Sequence, residues 1–348
     1  MNSGKIGQQF GSWREGMQDW LAESHFFGAL KWLVILFLVV MLMIGWYWSR
    51  EPATFTIEES LSNLSPEQQQ VTGAATSGAL IEVMEVVLNK PGGYLRNDRM
   101  PPGVLLDNLP SWEYGVLIQV RDLSRAMREY FSRSQSQSRE DQDLIHAEPR
   151  FNFQPNSWVL PSTESEYREG VRLMQHYQQR LVDSESKDAQ FYARSDNLVA
   201  WLGMVSSRLG SLSQRLSASV VKTRIDTSLQ GDSEATQSTA SGDMVFVKTP
   251  WTEIDNIFYE ARGTSWALLH FLKAIERDFA PVLAKKNAAV SLRQIIRELE
   301  ETQGAIYSPI ILNGSGFGLM ANHSLAMASY ITRANAAIID LQDLMNRG

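Results

Sequence analysis

A near-unbroken apolar run from Ala29 to Trp48 constrains this chain more than any other feature of its sequence. Lys31 is the only charged residue in the run. At about 1.5 Å rise per residue, a helix of this length spans roughly 30 Å, which matches the hydrocarbon core of a bilayer. The run predicts one transmembrane helix at residues 29–48, so the remainder of the chain after Trp48 must fold on one side of the membrane.

Aromatic residues mark both ends of the run. Trp32 lies near its start, and Trp46, Tyr47 and Trp48 form its end. Amphipathic rings of this kind favour the two headgroup levels of a bilayer. A secretory signal peptide has a shorter apolar core followed by small residues at a cleavage site, and this sequence has neither. We therefore expect the anchor to be retained.

The distribution of basic residues predicts the orientation. Lys5, Arg14 and Lys31 lie on the amino-terminal side, whereas Arg50 is followed by no Lys or Arg until Lys90. Because basic residues favour the cytoplasmic side, we expect a single-pass protein of the bacterial inner membrane, with a cytoplasmic N-terminus and a periplasmic C-terminal region. Residues 1–28 are predicted to be a cytoplasmic amphipathic segment, with a frayed tail as the alternative.

Charge and cysteine content restrict the possible partners. The net charge is −7, and it falls on the region after the span because residues 1–51 are balanced. An acidic region of this kind is not typical of a surface that binds nucleic acid or anionic lipid. The chain has no cysteine, which fits an oxidising compartment. We expect no nucleic-acid partner and no cofactor.

The region after the span predicts an all-α fold. Apolar residues recur at intervals of three and four from Thr54 onward, which is typical of helices. Residues 54–225 are predicted to be helical, 226–243 to be a polar linker or loop, and 244–348 to be helical hairpins. These hairpins either complete the same bundle of long antiparallel helices or form a second one. Heptad patterns start at Leu198 and at Ile254, and the apolar residues from Met327 to Met345 mark a last helix.

Local motifs predict the ends of several helices. Ser65, Pro66 and Gln68 form a capping-box pattern, which predicts a first helix from there to about Asn89. Ser111 is predicted to cap a second helix after Pro110. The small residues from Thr72 to Ala79 indicate a close helix crossing.

A glycine-rich loop before the last helix is one candidate binding site. Glycines at such a junction let backbone N–H groups converge on an anion. The spacing matches neither a dinucleotide fingerprint nor a phosphate loop, so a flexible connection or close backbone packing is the competing interpretation. The candidate residues are Asn313, Gly314, Gly316, Gly318, Asn322 and His323.

A stripe of arginines is the second candidate binding site. Arg121, Arg125 and Arg128 share one helix face and are suited to a phosphate or a carboxylate, although ordinary ion pairs would use them equally well. The acidic stretch from Glu140 to Glu148 includes His146, but its spacing matches no known metal loop, so we expect a solvated acidic loop and no metal. Catalytic residues are not identifiable from the sequence.

Several sequence segments resemble those of an uncharacterised family of single-pass inner-membrane proteins of Gram-negative bacteria. The resemblance is carried by residues 91–98, 132–143, 208–218 and 311–324. It implies a location in the cell envelope and supplies no catalytic residues.

These features favour a membrane-tethered periplasmic helical protein with a scaffold, assembly or interaction role in the envelope. Its expected partners are the lipid bilayer and either another envelope protein or a second copy of itself. The alternative is an envelope hydrolase or ligand-binding protein that acts on lipid or cell-wall material. A sensor is a third possibility, although the predicted cytoplasmic segment is too short for an output domain.

Overall fold

The computed structural model describes residues 28–133, 139–185, 188–220, 222–225, 244–308, 310–315 and 318–347. The described residues form eleven helices and one two-stranded antiparallel ribbon, which confirms the predicted all-α class. The helices are α1 Gly28–Trp48, α2 Ile57–Ser60, α3 Ala74–Asn89, α4 Asn108–Ala126, α5 Gln142–Phe151, α6 Thr163–Val182, α7 Ser195–Ser217, α8 Ile254–Asp278, α9 Ala280–Lys285, α10 Ala289–Glu301 and α11 His323–Asn346. The strands are β1 Lys222–Ile225 and β2 Met244–Val247.

Helix α1 stands apart from the other ten. Its 21 residues are long and apolar enough to cross a membrane, and almost none of its surface is covered by the rest of the protein. The predicted span at residues 29–48 agrees with these bounds. The predicted amphipathic segment, residues 1–28, lies outside the described residues except for Gly28 itself, and so does the predicted linker at 226–243.

The predicted first helix is divided into two pieces. The capping box exists, because the Ser65 N–H donates to Gln68 and the Gln68 N–H donates to the Ser65 hydroxyl. It starts only a 3₁₀ turn, Gln68–Gln70, because Gly73 then takes a φ of +95°, which interrupts the helix. Helix α3 begins at the next residue. Sequence pattern identified the capping motif but not the turn that follows it.

Two other predictions of local structure were wrong. Helix α4 begins at Asn108, before Pro110, so Ser111 lies inside its first turn and its hydroxyl donates to the Asn256 side chain. The acidic stretch predicted to be a loop forms helix α5. Asp141 caps this helix, since its carboxylate accepts the N–H groups of Asp143 and Leu144.

One hydrophobic core joins helices from both sides of residues 226–243. Helix α4 packs against α8, and α7 packs antiparallel to α11. The residues of both predicted heptad patterns and the apolar residues that mark the last helix are buried. The ribbon of β1 and β2 brackets residues 226–243 at the end of α7. The predicted segment boundaries themselves stay a prediction.

Helices α4 and α8 approach each other very closely. A Cβ atom added to Gly115 would lie 2.0 Å from the Glu260 carbonyl oxygen, and one added to Gly263 would lie 1.9 Å from the Trp112 carbonyl oxygen. The two backbones therefore touch directly. The Ser111–Asn256 contact lies one turn earlier in both helices, so α4 and α8 begin at the same end of the bundle.

We predict that Gly115→Ala destabilises the protein by about 3 kcal/mol, because its new methyl group has to push two helix backbones apart. Gly210→Ala is the matched control: it also lies inside a helix, but the nearest atom to its added Cβ, Asn335 Nδ2, is 3.6 Å away. That change should stabilise the protein by about 0.5 to 1 kcal/mol. Denaturant unfolding of the full chain in detergent measures both, and similar effects at both positions would contradict the crossing.

Candidate functional site

The arginines of the predicted stripe are held by groups of the protein itself. Arg121 donates to the carbonyl oxygens of Phe151 at 2.8 Å and Phe153 at 2.7 Å, which fixes the chain at the end of α5. Arg125 pairs with Glu129 one turn further along, and this pairing raises the pKa of the Arg125 guanidinium. The stripe as an anion site stays a prediction.

Arg128 and Arg180 take up most of the acidic stretch. Arg128 pairs with Glu140 at 2.8 Å and also contacts Glu148 and Glu129. Arg180 contacts Asp141 at 2.8 Å and Asp143 at 2.5 Å. These carboxylates are therefore distributed between two guanidinium groups. Within the described residues, no three histidine or acidic side chains come together as a metal site.

The glycine-rich loop closes on itself and caps the last helix. The Gly314 N–H donates to the Ala321 carbonyl at 3.0 Å, and the Asn322 side chain donates to the Gly314 carbonyl at 2.7 Å. The same Asn322 side chain accepts the Leu325 N–H as the N-cap of α11. Gly316 lies outside the described residues. Asn313 pairs with Asn322 and His323 bonds the Leu312 N–H, while no protein contact brings Gly318 to that pair. The role of this loop in binding stays a prediction.

The end of α1 is built into the bundle by a buried ion pair. Arg262 of α8 is 6% exposed, and its Nε and Nη2 donate to the Glu51 carboxylate at 2.8 and 2.5 Å. Its Nη1 donates to the carbonyl oxygens of Thr302 and Gly304 at 3.0 and 2.9 Å. Every guanidinium nitrogen is therefore used. We call this contact the Arg262 clamp.

Packing around the clamp fixes the same end of α1. Trp48 lies against Gly92 so closely that a Cβ added there would fall 2.7 Å from the indole ring. At Gly45, one turn earlier, an added Cβ would lie 3.5 Å from the Pro102 side chain and 3.9 Å from the Leu106 side chain. We call the end of the bundle that carries these contacts the α1 end. Helices α4 and α8 both begin there.

Most exposed apolar side chains after α1 belong to segments at the α1 end. Loop 100–106 lies beside Gly45. The Tyr94 hydroxyl, in the turn after α3, donates a hydrogen bond to loop 155–160. In the loop after α10, the Gly304 carbonyl accepts a hydrogen bond from Arg262. Loop 313–322 lies beside the end of α7. The exposed residues are Met100, Val104, Leu105, Trp158, Val159, Leu160, Trp251, Tyr307, Ile310, Leu319 and Met320, while Val290 and Ile339 are the exceptions.

A cleft of about 1120 Å³ opens at the α1 end between the first turns of α4 and α8 and the last turn of α7. Arg215 and Glu260 form an ion pair across it, which raises the pKa of Arg215. The other charged groups in the lining are Arg96, Arg99, Lys248, Asp107 and Glu253. Sequence reasoning missed this cleft, because its cations come from separate segments and share no local spacing.

Contacts with a buried glutamate fix the turn that carries Arg96. Glu113 is fully buried and accepts the N–H groups of Leu95 and Arg96, each at 2.9 Å, while Lys90 pairs with it at 2.6 Å. Burial raises the pKa of Glu113, although these three partners favour its ionised form. The Arg96 guanidinium lies 4.3 Å from the centre of the Tyr114 ring and donates to the Pro110 carbonyl. This backbone is therefore held rigidly at the edge of the cleft.

Three of the cleft cations have no carboxylate partner among the residues that the structure describes. Within the residues that the structure describes, no acidic side chain lies at ion-pair distance from Arg96, Arg99 or Lys248. Arg99 has only a long contact of 3.4 Å to the Asn156 carbonyl. Such cations are available to an anion from outside the chain.

A narrower cavity of about 390 Å³ continues from the cleft and shares Tyr114, Arg215 and Glu260 with it. Gln119 lines this cavity and is 1% exposed. Neither its amide nitrogen nor its amide oxygen has a hydrogen-bond partner in the described part of the chain. A buried amide without partners is costly, so this position suits a polar group that enters from the cleft.

The segment after the clamp packs against a buried histidine. The Phe55 ring stacks on His270 with 3.7 Å between centroids and a 4° interplanar angle. Neither ring nitrogen of His270 has a partner among the described residues. Burial, with a smaller effect from Lys273, lowers the pKa of His270 to about 3.

A family sequence model matches this chain over most of its length. The model is that of DUF2333, described as an uncharacterized protein conserved in bacteria, and it matches residues 21–348. The predicted resemblance to an uncharacterised bacterial family is therefore confirmed. Among curated proteins, and among solved structures, nothing matches the chain.

We predict that His270 makes the folded state less stable in acid. An unfolded histidine takes up a proton below about pH 6.5, whereas the folded chain keeps His270 neutral until about pH 3. Its stability contribution is therefore fully present above pH 6.5 and is lost as the pH falls, by about 2 kcal/mol at pH 5. His270→Phe, which keeps an aromatic ring beside Phe55, should remove this part of the loss.

Unfolding free energies of the full chain at pH 7.5 and pH 5.0 measure this effect. His146→Gln, at an exposed position, controls for the removal of one histidine. The same pH dependence in wild type and in His270→Phe would contradict the prediction.

Proposed function

Because this chain belongs to the DUF2333 family of uncharacterised bacterial proteins, we propose its function from its own geometry. The protein is a single-pass protein of the bacterial inner membrane, with its N-terminus in the cytoplasm and its helical bundle in the periplasm. It acts as a tethered interaction protein that holds a binding surface at a fixed height above the membrane. Its protein partner is another envelope protein or a second copy of the chain.

The Arg262 clamp is the observation that carries this proposal. An apolar helix near an N-terminus can be a membrane span or a signal sequence, and a signal sequence is cut away from the folded product. Here Glu51, three residues after α1, is the counter-ion of a buried arginine, and Trp48 covers Gly92. Removing α1 would take Trp48 away from the core and uncover Gly92. This dependence supports a retained anchor.

The clamp also supports an interaction role. It fixes α1 and the bundle relative to each other, so the surfaces of the bundle keep a constant distance from the bilayer. Exposed apolar side chains concentrate at the α1 end, where a membrane-bound partner would meet them. A freely swinging domain would not need such a junction.

The alternative function predicted from the sequence is a hydrolase or a ligand-binding protein. The cleft favours the second of these, ligand binding. Its unpaired Arg96, Arg99 and Lys248 make it a better candidate than the arginine stripe, whose members already contact protein groups. Hydrolysis has no comparable support from the arrangement of the described residues. We therefore retain ligand binding and not catalysis as the second candidate.

We predict that Trp48→Ala lowers the free energy of unfolding of the bundle by about 2 kcal/mol, because this half-buried indole packs on the core. Trp46→Ala is the matched control: it lies in the same helical turn but is 67% exposed, so its effect should stay within about 0.5 kcal/mol. Both proteins are purified from cells and unfolded with denaturant. If α1 were removed as a signal sequence, Trp48→Ala would leave the mature protein unchanged, and the two variants would then be equal.

We predict that a periplasmic partner can be crosslinked to the bundle in living cells. An amine-reactive crosslinker that does not pass the inner membrane should modify the exposed Lys248 and Lys285 and join the bundle to the same neighbour in every replicate. An unrelated single-pass protein of the same orientation is the control. Unmodified lysines would contradict the periplasmic placement, and modification without any crosslinked neighbour or second copy would contradict the interaction role.

A further inference from the structure

We propose that the cleft at the α1 end binds the headgroup of an anionic phospholipid from the leaflet in which α1 ends. This inference rests on the proposed function in one respect, namely that α1 spans the membrane. It follows from four properties of the cleft: its height, its unpaired cations, its apolar rim and its buried polar floor.

The height of the cleft follows from the contacts of Gly45. This residue lies three positions before the end of α1, so it is about 4.5 Å below Trp48 along the helix axis. The side chains of Pro102 and Leu106 lie beside it there, within 4 Å of the position that a Cβ on Gly45 would take. Arg99 and Asp107, at either end of this loop, line the cleft. The mouth of the cleft is therefore at the level where lipid phosphates meet the acyl chains.

The charges of the cleft favour an anion. The Arg215–Glu260 pair is internally balanced, which leaves the cations Arg96, Arg99 and Lys248 against the carboxylates Asp107 and Glu253. Among the described lining residues the excess is one positive charge, which complements a phosphodiester. Arginine donors bind phosphate oxygens with good geometry, and the two carboxylates can accept hydrogen bonds from headgroup hydroxyls.

The rim of the cleft provides for the chains of the same lipid. Trp251 is 82% exposed and follows Pro250 of the lining, while Met100, directly after Arg99, is 68% exposed. Leu105 is 74% exposed on the same loop. Free phosphate would gain nothing from these side chains, whereas a lipid would keep its acyl chains against them.

The floor of the cleft has a buried polar group that can bind the end of the headgroup. The narrower cavity leads from Arg215 and Glu260 to Gln119, whose buried amide has a donor and an acceptor without partners in the described part of the chain. A headgroup hydroxyl both donates and accepts, so it can satisfy the two together. Phosphatidylglycerol has the required combination of one negative charge and free hydroxyls.

Native mass spectrometry of the full chain in an uncharged detergent tests the proposal. The protein is titrated with dihexanoyl phosphatidylglycerol, dihexanoyl phosphatidylcholine or glycerol phosphate. We expect the phosphatidylglycerol probe to bind most tightly. The triple variant Arg96→Gln, Arg99→Gln, Lys248→Gln should bind it at least about 30-fold more weakly, since charged hydrogen bonds are lost.

A matched pair of single variants keeps the test valid if the triple variant does not fold. Lys248→Gln removes an exposed cation of the cleft and should weaken binding about threefold, whereas Lys285→Gln removes an exposed cation at the opposite end and should have no effect. Equal binding by these two variants and by the triple variant would overturn the site. Equally tight binding of phosphatidylcholine would overturn the anionic headgroup, and equally tight binding of glycerol phosphate would overturn the lipid. Because the purified full chain is used, these results do not depend on whether the anchor is retained in cells.

Discussion

The buried guanidinium of Arg262 is the contact on which the arrangement of α1 and the bundle depends. It brings together Glu51 after α1, the backbone after α10 and the body of α8. A buried cation is costly to desolvate, and a pair of this kind adds little stability compared with an apolar contact. Its effect is on specificity, because only one placement of α1 supplies the carboxylate that Arg262 needs. An unpaired Arg262 would be costly, so alternative placements are disfavoured.

This constraint gives the bundle two unlike ends. Helices α4 and α8 begin at the α1 end, α7 ends there, and α11 begins there, so the connecting loops meet around the end of the span. Loops in water usually carry polar residues, yet these loops carry most of the exposed aromatic and aliphatic side chains outside α1. The opposite end has Val290 as its main exposed apolar residue. Such a division is expected of a domain whose one end faces a bilayer.

Features set by local pattern could be predicted from the sequence, and features set by distant pairing could not. The span and the buried faces of α7, α8 and α11 follow from periodicity, which each segment carries by itself. The charges of the acidic stretch predict a solvated loop. In the structure, Arg128, directly after α4, and Arg180, in α6, neutralise these charges. Nothing near Gly115 in the sequence shows that Gly263 will face it.

The cleft could not be predicted from the sequence for the same reason. Arg96 and Arg99 follow α3, whereas Lys248 follows β2, about 150 residues later. Only the fold places them together, and no single window of sequence shows a basic cluster. The aromatic partner of Arg96, Tyr114, belongs to a third segment. A search for basic residues without nearby acids in the sequence would have missed Arg96 and Arg99, because Asp98 lies between them. The same search would have found Lys90, although it is buried and paired with Glu113.

The net charge of −7 argues against an anionic-lipid surface only if charge is spread evenly over the molecule. At about 0.15 M salt the field of an exposed charge decays within about 8 Å, so a bound headgroup responds to the residues around it and not to the total. Many carboxylates are paired with arginines away from the cleft, such as Asp141 with Arg180 and Glu298 with Arg333. Their charge is cancelled where they lie. A local excess of positive charge at the α1 end is therefore compatible with an acidic chain.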